Sequence, residues 1–425
     1  MSNQKSVPKR QLTKAYVRHM SQTLPLCLLM LIGAGAQADA VAETINPTTR
    51  ALDLSQDLPA GELQSRLQSC ASGPFYATDF SIAHRGAPLG YPEHSREGYI
   101  AAASQGAGVI ECDVTFTKDL ELVCRHSQCD LATSTNILQT DLVTSCRTPF
   151  TPASKDSPAS AQCCTSDITL KEFKTLCARS DRRNLKAKSA DEYLMPLDSP
   201  VVESPLKCGT VVSHKESIVL INQLGRKFTP ELKRPEVAMP FAPGFDQHTY
   251  ADKMLAEYAK LGIDPMRVFP QSFDIRDVQY WLEAHPEFAP QAVWLDPRGR
   301  QKNFTTSLEE MQAIKAQGIN IISPPMPMLI QLNDAGALEP SDYAKFARQA
   351  GLEIITWTME SGDPVDPKNW LYANIAPTMD KPGRMLEVLD VLAQQVGVRG
   401  IFSDWPGTIT YYNNCTNGLS SPLNK

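Results

Sequence analysis

The sequence lacks several features that would mark a membrane, zinc or dinucleotide-binding protein. Its apolar run at residues 24–36 is shorter than the roughly 20 residues that a membrane-spanning helix requires. No Cys-x-x-Cys pair with matching partners occurs, and no glycine-rich phosphate loop opens the first predicted helix. Positive charge is not in excess, since the net charge is −6, and an acidic surface disfavours nucleic acid as a partner.

The first 40 residues have the composition of a secretory signal peptide. Five basic residues precede the apolar run, and small residues follow it. This order predicts cleavage near Ala38 or Ala40 and export to the periplasm or the extracellular space, with no stable membrane anchor. An uncleaved anchor is the alternative. Cleavage after Ala40 removes the five basic residues and one acidic residue, which changes the net charge from −6 to −10.

The cysteines also indicate export. The chain has 11 cysteines, and Cys27 lies in the predicted leader, so that an even set of ten remains. Such a set in an exported chain predicts disulfides, although their connectivity does not follow from the sequence. Seven of the ten lie between Cys124 and Cys208. We therefore expect disulfides, rather than a large core, to stabilise that region.

Histidines and carboxylates lie among short apolar strands in residues 81–126. Residues 81–86 are predicted to form a buried strand that ends in His84, Arg85 and Gly86. A helix is predicted to start near Pro92 and to run to residue 106, with an apolar face of alanines.

A second strand is predicted at residues 109–116. Its alternating pattern turns Glu111 and Asp113 to one side and Cys112 to the other. Two carboxylates that face the same way can share one cation. Cys112 is expected to pack against a helix or to pair with a neighbouring cysteine.

Five short motifs occur in order within residues 84–127. They are His84-Arg85-Gly86, Pro92-Glu93-His94-Ser95, Glu111-Cys112-Asp113, Thr117-Lys118-Asp119 and His126-Ser127. Together they resemble the signature of the glycerophosphodiester phosphodiesterase family, in its secreted or periplasmic form. Residues 230–233, 271–273, 357–358 and 400–406 resemble the family's later strands. The resemblance spans about residues 81–412, with one long interruption.

The sequence departs from the family signature directly after the second histidine. The family usually has Asp there, whereas this chain has Ser127. Asp130 follows three residues later and can replace the missing carboxylate only if the local turn brings it back towards His126.

Strand-like and helix-like segments alternate regularly from residue 213 onward. With the strands at residues 81 and 109 they make eight strand and helix pairs, which favour a TIM (β/α)8 barrel over a doubly wound open sheet. We predict an N-terminal arm at 41–80, a phosphodiesterase barrel at 81–126 and 213–412, and a tail at 413–425. A cysteine-rich insertion at 127–212 follows the second strand and is expected to lie over the active face.

The carboxylates are candidates for a metal site. Glu111 and Asp113 offer hard oxygen ligands, and the resemblance adds Glu231 as the third acidic ligand. These groups suit one divalent cation, Ca²⁺ or Mg²⁺, and Glu93 is a further candidate. With a cation bound, the site would attract a phosphate that the carboxylates alone would repel.

The remaining candidates would handle protons and phosphate. His84 and His126 are predicted to be the acid and base pair, because an imidazole can take up and return a proton near neutral pH. Arg85 and Lys233 are predicted to hold the phosphate, and Trp357 is an additional candidate at the end of a strand. By resemblance to the family, a glycerol hydroxyl attacks first and forms a cyclic phosphate, which water then opens.

The other histidines are expected to have lesser roles. His94 lies within a family motif and is predicted to orient its neighbours. The histidines with no motif around them, predicted to be surface or leader residues, are His19, His214, His248 and His285.

Three functions are compatible with these observations. The leading one is a secreted enzyme that releases glycerol 3-phosphate and an alcohol from small glycerophosphodiesters. A phospholipase D-like enzyme on the same barrel would need an exposed apolar rim. A catalytically silent secreted relative that binds a headgroup or glycan is the third. The preferred alcohol and the oligomeric state do not follow from the sequence.

Overall fold

Eight parallel strands close into a barrel in the computed structural model, which describes residues 45–195, 206, 208–301 and 304–417. Each strand pairs with the next, and the first pairs with both the second and the eighth. The strands are β1 Thr78–Ala83, β2 Ala107–Phe116, β3 Lys227–Leu232, β4 Gln271–Ser272, β5 Val293–Leu295, β6 Ile321–Ser323, β7 Glu353–Met359 and β8 Gly400–Ser403. The predicted TIM barrel is confirmed.

A helix follows each barrel strand. These helices are α1 Arg96–Ser104, α2 His214–Gln223, α3 Gln247–Lys260, α4 Ile275–Ala284, α5 Leu308–Ala316, α6 Asp342–Gln349, α7 Met385–Asp390 and α8 Pro406–Asn417. The prediction that α1 starts near Pro92 is wrong. The Ser95 side chain accepts a hydrogen bond from the Gly98 amide at 3.0 Å, and this cap starts the helix at Arg96.

The barrel interior is packed with apolar side chains. One layer consists of Ile82, Val109, Phe269, Val293, Ile321, Ile355 and Phe402. A larger apolar core fills the space between the strands and the surrounding helices. The barrel therefore has no open pore, and its polar groups are left to the ends of the strands.

The segment before the barrel packs on its last helix. Helices at Arg50–Ser55 and Glu62–Ser69 precede β1, and a disulfide joins Cys70 to Cys415 on α8. Strand β1 begins at Thr78, inside the predicted arm, and α8 continues to Asn417, beyond the predicted barrel boundary at 412. The predicted leader, residues 1–40, lies outside the described residues. Within the described ranges, no helix has both the length and the apolar character that a membrane crossing requires.

The cysteine-rich insertion has a small core of its own. Buried side chains such as Leu131, Ile137, Phe173 and Tyr193 form a cluster separate from the main barrel core. Its elements include helices Leu131–Ser134, Leu170–Phe173 and Ala190–Tyr193, strand pair Thr148–Thr151 with Ser160–Gln162, and strand pair Cys177–Ala178 with Gly209–Thr210. Three disulfides cross-link it: Cys129–Cys164, Cys146–Cys163 and Cys177–Cys208. The expected disulfides are therefore present.

One more disulfide lies beside the second barrel strand. It joins Cys112 on β2 to Cys124 on the short antiparallel strand Leu122–Cys124. Cys112 thus pairs with a neighbour on the face opposite to Glu111 and Asp113.

Candidate active site

A sharp turn after β1 forms the first wall of the site. Arg85 and Gly86 have positive φ angles of 59° and 99°. A Cβ atom at Gly86 would lie 3.0 Å from the Gly98 carbonyl carbon on α1, so that only glycine fits this close approach. The turn aims the Arg85 backbone amide at β2, where it donates to Glu111 Oε2 at 2.9 Å.

Three carboxylates converge on neighbouring strands. In the sheet register Asp113 on β2 lies opposite Glu231 on β3, and Glu231 lies opposite Gln271 on β4. Carboxylate oxygens of Glu111, Asp113 and Glu231 all lie within 4.8 Å of one another, and the three residues are buried. Gln271 Nε2 donates to Glu111 Oε1 at 2.9 Å and so holds that carboxylate in place.

Two cationic side chains border this acidic cluster. Lys233 Nζ lies 2.7 Å from Glu231 Oε1 and 3.7 Å from Asp113 Oδ1. Arg85 Nη1 donates to Glu93 Oε2 at 3.0 Å, and its Nε lies 3.8 Å from Asp113 Oδ2. Both cationic groups are thus close enough to the acidic cluster to contact a phosphate that binds beside it.

Burial and mutual repulsion make the ionised form of the acidic cluster energetically unfavourable. Burial raises the pKa of Glu111 well above its ordinary value, and the charges of Asp113 and Glu231 add to this. Burial raises the pKa of Glu231 to about 7, although Lys233 opposes the shift. Burial acts in the same direction on Asp113, but Lys233 and His94 hold its pKa well below the ordinary value.

The cluster fits a hard divalent cation. Its donors are carboxylate oxygens, the ligand type that Ca²⁺ and Mg²⁺ prefer. Asp113 Oδ1 and Gln271 Oε1 are buried without a hydrogen-bond partner among the described residues, which is costly unless something else binds them. A cation among these oxygens would also offset the mutual repulsion of the carboxylates.

His84 has a carboxylate partner that is not among the site residues predicted from the sequence. Its Nδ1 lies 2.5 Å from Asp404 Oδ1, and both side chains are more than four-fifths buried. Asp404 directly follows β8, which pairs with β1, so barrel closure brings the two residues together. Its sequence signals were its place at the carboxyl end of a strand and its position in the segment 400–406, which resembles the family's last strand.

His94 makes the contacts that its predicted orienting role requires. It is fully buried, its Nε2 lies 2.8 Å from Asp113 Oδ2, and its Nδ1 lies 3.0 Å from the Tyr99 hydroxyl. The bond to Asp113 fixes one oxygen of that carboxylate and leaves the other for a ligand.

His126 lies in a second cluster that includes the insertion. Donor atoms of Glu93, His126 and Asp181 lie within 4.8 Å of one another. Burial lowers the pKa of His126 well below its ordinary value, and Lys233 and Arg85 lower it further.

The local turn directs Asp130 to Ser127. The Ser127 amide donates to Asp130 Oδ2 at 3.3 Å, and burial raises the Asp130 pKa to about 7. The carboxylates that share a cluster with His126 are those of Glu93 and Asp181.

One cleft of about 260 Å³ gathers most of the predicted site. Its lining includes His84, Arg85, Glu111, Asp113, His126, Glu231, Lys233 and Trp357. The remaining candidate, Glu93, lies beside Arg85 and His126 rather than in the acidic cluster. An aromatic wall of Phe273, Trp357 and Trp370 continues the cleft, with Arg300 against it.

The fold and the cleft define a TIM-barrel enzyme, with its polar groups at the carboxyl ends of the strands, where these barrels have their active sites. The chain belongs to the Glycerophosphoryl diester phosphodiesterase family, whose sequence profile matches residues 84–408. It is therefore a phosphoric diester hydrolase that acts on glycerophosphodiesters.

Individual relatives agree with this assignment. The chain is 41% identical to an "Extracellular protein" of Arthroderma benhamiae over 219 residues, which covers 49% of this chain and 88% of the relative. It is 23% identical to the glycerophosphodiester phosphodiesterase GDPD6 of Arabidopsis thaliana over 401 residues, which covers 86% of this chain and 97% of the relative. The chain also matches a crystal structure from Silicibacter pomeroyi, whose protein is assigned by name to the glycerophosphoryl diester phosphodiesterases. The TM-score is 0.53 and the identity is 19%, and the match covers 81% of this chain and 95% of the other. That structure supports the fold.

Proposed function

We propose that the enzyme hydrolyses small, water-soluble glycerophosphodiesters to glycerol 3-phosphate and an alcohol, using one divalent cation and a pair of histidines. The observation that carries this proposal is the convergence of Glu111, Asp113 and Glu231 within 4.8 Å, in the same cleft as His84 and His126. Phosphodiester hydrolysis needs both charge neutralisation and proton transfer, and this cleft offers groups for each.

Glu111, Asp113 and Glu231 would hold the cation, which is Ca²⁺ or Mg²⁺. When bound, such an ion supplies Lewis-acid stabilisation of the charge on the phosphate oxygens. The chain's own contribution is to hold the ligands in fixed positions. The Arg85 amide and Gln271 bind Glu111, and His94 binds Asp113.

Arg85 and Lys233 would bind the non-bridging phosphate oxygens. Arg85 contacts Glu93 through Nη1, while its buried Nε has no hydrogen-bond partner among the described residues and is free for an oxygen ligand. Lys233 pairs with Glu231 and would bind phosphate as a point charge.

His84 and His126 would transfer the protons. Asp404 fixes His84 through Nδ1, which leaves Nε2 for the substrate. The lowered pKa of His126 favours the neutral ring. We therefore assign His126 as the base that accepts a proton from the attacking hydroxyl and His84 as the acid that protonates the leaving alcohol.

The surface favours a small substrate over an intact lipid. The large apolar side chains exposed among the described residues are Leu185, Met195, Val219, Met266 and Trp370. Of these, Trp370 alone lines the cleft, and the described residues form no continuous apolar rim around it. A phospholipase D-like activity on membranes would need such a rim.

Export to an oxidising compartment is part of the proposal. The ten cysteines that remain after the predicted leader all pair in disulfides, which are typical of secreted proteins. The Arthroderma benhamiae relative carries the name "Extracellular protein", which supports the same location.

The proposal is tested by measuring glycerol 3-phosphate release from several glycerophosphodiesters, including glycerophosphocholine. We expect turnover with Ca²⁺ or Mg²⁺, loss of turnover on chelation, and a strong loss for Glu231→Gln. Glu283→Gln, which changes an exposed glutamate of α4, is the matched control. Full turnover in the presence of chelator would contradict the metal-dependent mechanism.

A further inference from the structure

Arg300 lies at the aromatic wall of the cleft, away from the acidic cluster. Its guanidinium carbon lies 5.2 Å from the Phe273 ring centroid and 5.8 Å from that of Trp357. Trp357 in turn contacts Trp370 edge to face, with centroids 5.8 Å apart. These residues follow or lie on β4, β5 and β7, whereas the acidic cluster lies on β2 and β3.

The aromatic wall is held in a fixed orientation. Trp357 Nε1 donates to the Ser323 carbonyl at 3.0 Å, and Phe273 packs edge to face on Trp357 with centroids 5.8 Å apart. Arg300 therefore rests on a rigid surface, which reduces the conformational entropy that it would lose on binding a ligand.

Among the described residues, none neutralises the positive charge of Arg300. Within the described ranges, its guanidinium makes no ion pair and no hydrogen bond, and the side chain is exposed to the cleft. The neighbouring Arg298 differs, because it binds Asp296 through two nitrogens. An unpaired, stacked guanidinium is a suitable partner for a carboxylate or phosphate.

The same arrangement disfavours a cationic alcohol. Aromatic faces attract cations, but here Arg300 already covers the faces of Phe273 and Trp357. The acidic residues that line the cleft are Glu111, Asp113 and Glu231, which belong to the proposed cation site. Among the described residues that line the cleft, a quaternary ammonium group would thus meet a like charge and find no carboxylate outside the proposed cation site.

We propose that Arg300 and the aromatic wall form the subsite for the alcohol part of the substrate, and that this subsite selects an alcohol with an anionic group over a purely cationic one. This inference rests on the proposed function, because it assumes that the phosphodiester binds beside the acidic cluster.

The test uses two substrates that differ by one carboxylate, glycerophosphoserine and glycerophosphoethanolamine. Binding of each to the His84→Ala enzyme, in which turnover is removed, is measured by titration calorimetry with Ca²⁺ present. We expect glycerophosphoserine to bind about tenfold more tightly, as one charge-assisted contact allows. Adding Arg300→Gln should remove this preference, and Arg300→Lys should keep part of it.

The control is Arg276→Gln, which removes an exposed positive charge on α4 that does not line the cleft. The preference should survive this change. The proposed subsite would be refuted if the two esters bound equally, if the ethanolamine ester bound more tightly, or if neither bound. It would also be refuted if the preference persisted in Arg300→Gln. The proposed function fails separately, if the wild-type enzyme turns over neither ester although the binding preference is present.

Discussion

Replacing Asp404 by Asn should slow catalysis while leaving the fold and the metal site intact. The substitution keeps the shape of the side chain but removes the charge that lies 2.5 Å from His84 Nδ1. A hydrogen bond between charged groups contributes about 1.5–3 kcal/mol. If the bond acts on the protonated ring in the transition state, kcat should fall roughly 10- to 100-fold.

The assay is the steady-state release of glycerol 3-phosphate over a range of pH. We expect kcat to fall with little change in KM. Calcium binding should be unchanged, because Asp404 lies outside the acidic cluster. Asp156→Asn, on the exposed surface of the insertion, is the control. An unchanged kcat in Asp404→Asn would refute the role of this pair.

The acidic cluster and the terminal disulfide can be tested separately. Glu111→Gln should weaken Ca²⁺ binding in titration calorimetry, whereas His84→Ala should remove turnover and leave Ca²⁺ binding intact; the reverse result would exchange their roles. Because Glu231 has a folded pKa of about 7, above its unfolded value, the metal-free protein should lose stability as pH rises from about 4.5 to 7. The rise in Tm that Ca²⁺ produces should therefore be larger at pH 8 than at pH 5. An equal rise at both pH values would contradict the proposal that the ionised carboxylates repel one another in the metal-free protein. Replacing Cys70 and Cys415 by serine should lower the free energy of unfolding by up to about 6 kcal/mol, since this disulfide closes a loop of 345 residues. Denaturant titration would measure the loss. An unchanged free energy of unfolding would show that the disulfide does not stabilise the fold.

Local patterns in the sequence predicted much of the site. The alternation of β2 places Glu111 and Asp113 on one face, and the parallel register with β3 sets Glu231 opposite Asp113. The eight strand and helix segments are each recognisable from their own apolar pattern, and barrel closure follows from their number and order.

Features that depend on distant contacts could not be predicted in the same way. His84 and Asp404 are separated by 320 residues and meet only because β1 pairs with β8. Asp181 lies in the insertion, whose sequence has no periodic pattern from which its fold could be predicted. The disulfide partners likewise depend on how that segment folds.

The prediction that His214 is a surface residue is wrong. It is fully buried at the start of α2, where its Nδ1 lies 2.8 Å from Glu257 Oε2 and its Nε2 lies 3.3 Å from the Tyr258 hydroxyl on α3. The sequence around His214 holds no motif, and its two partners become visible only once α2 packs against α3.

The proposed mechanism depends on one divalent cation, held by acidic residues of β2 and β3 beside the histidine pair. The most direct test is anomalous scattering from crystals of the protein soaked with Mn²⁺ in place of Mg²⁺ or Ca²⁺. We expect one strong peak within bonding distance of Glu111, Asp113 and Glu231. A peak confined to Glu93, His126 and Asp181, or none in the cleft, would contradict it.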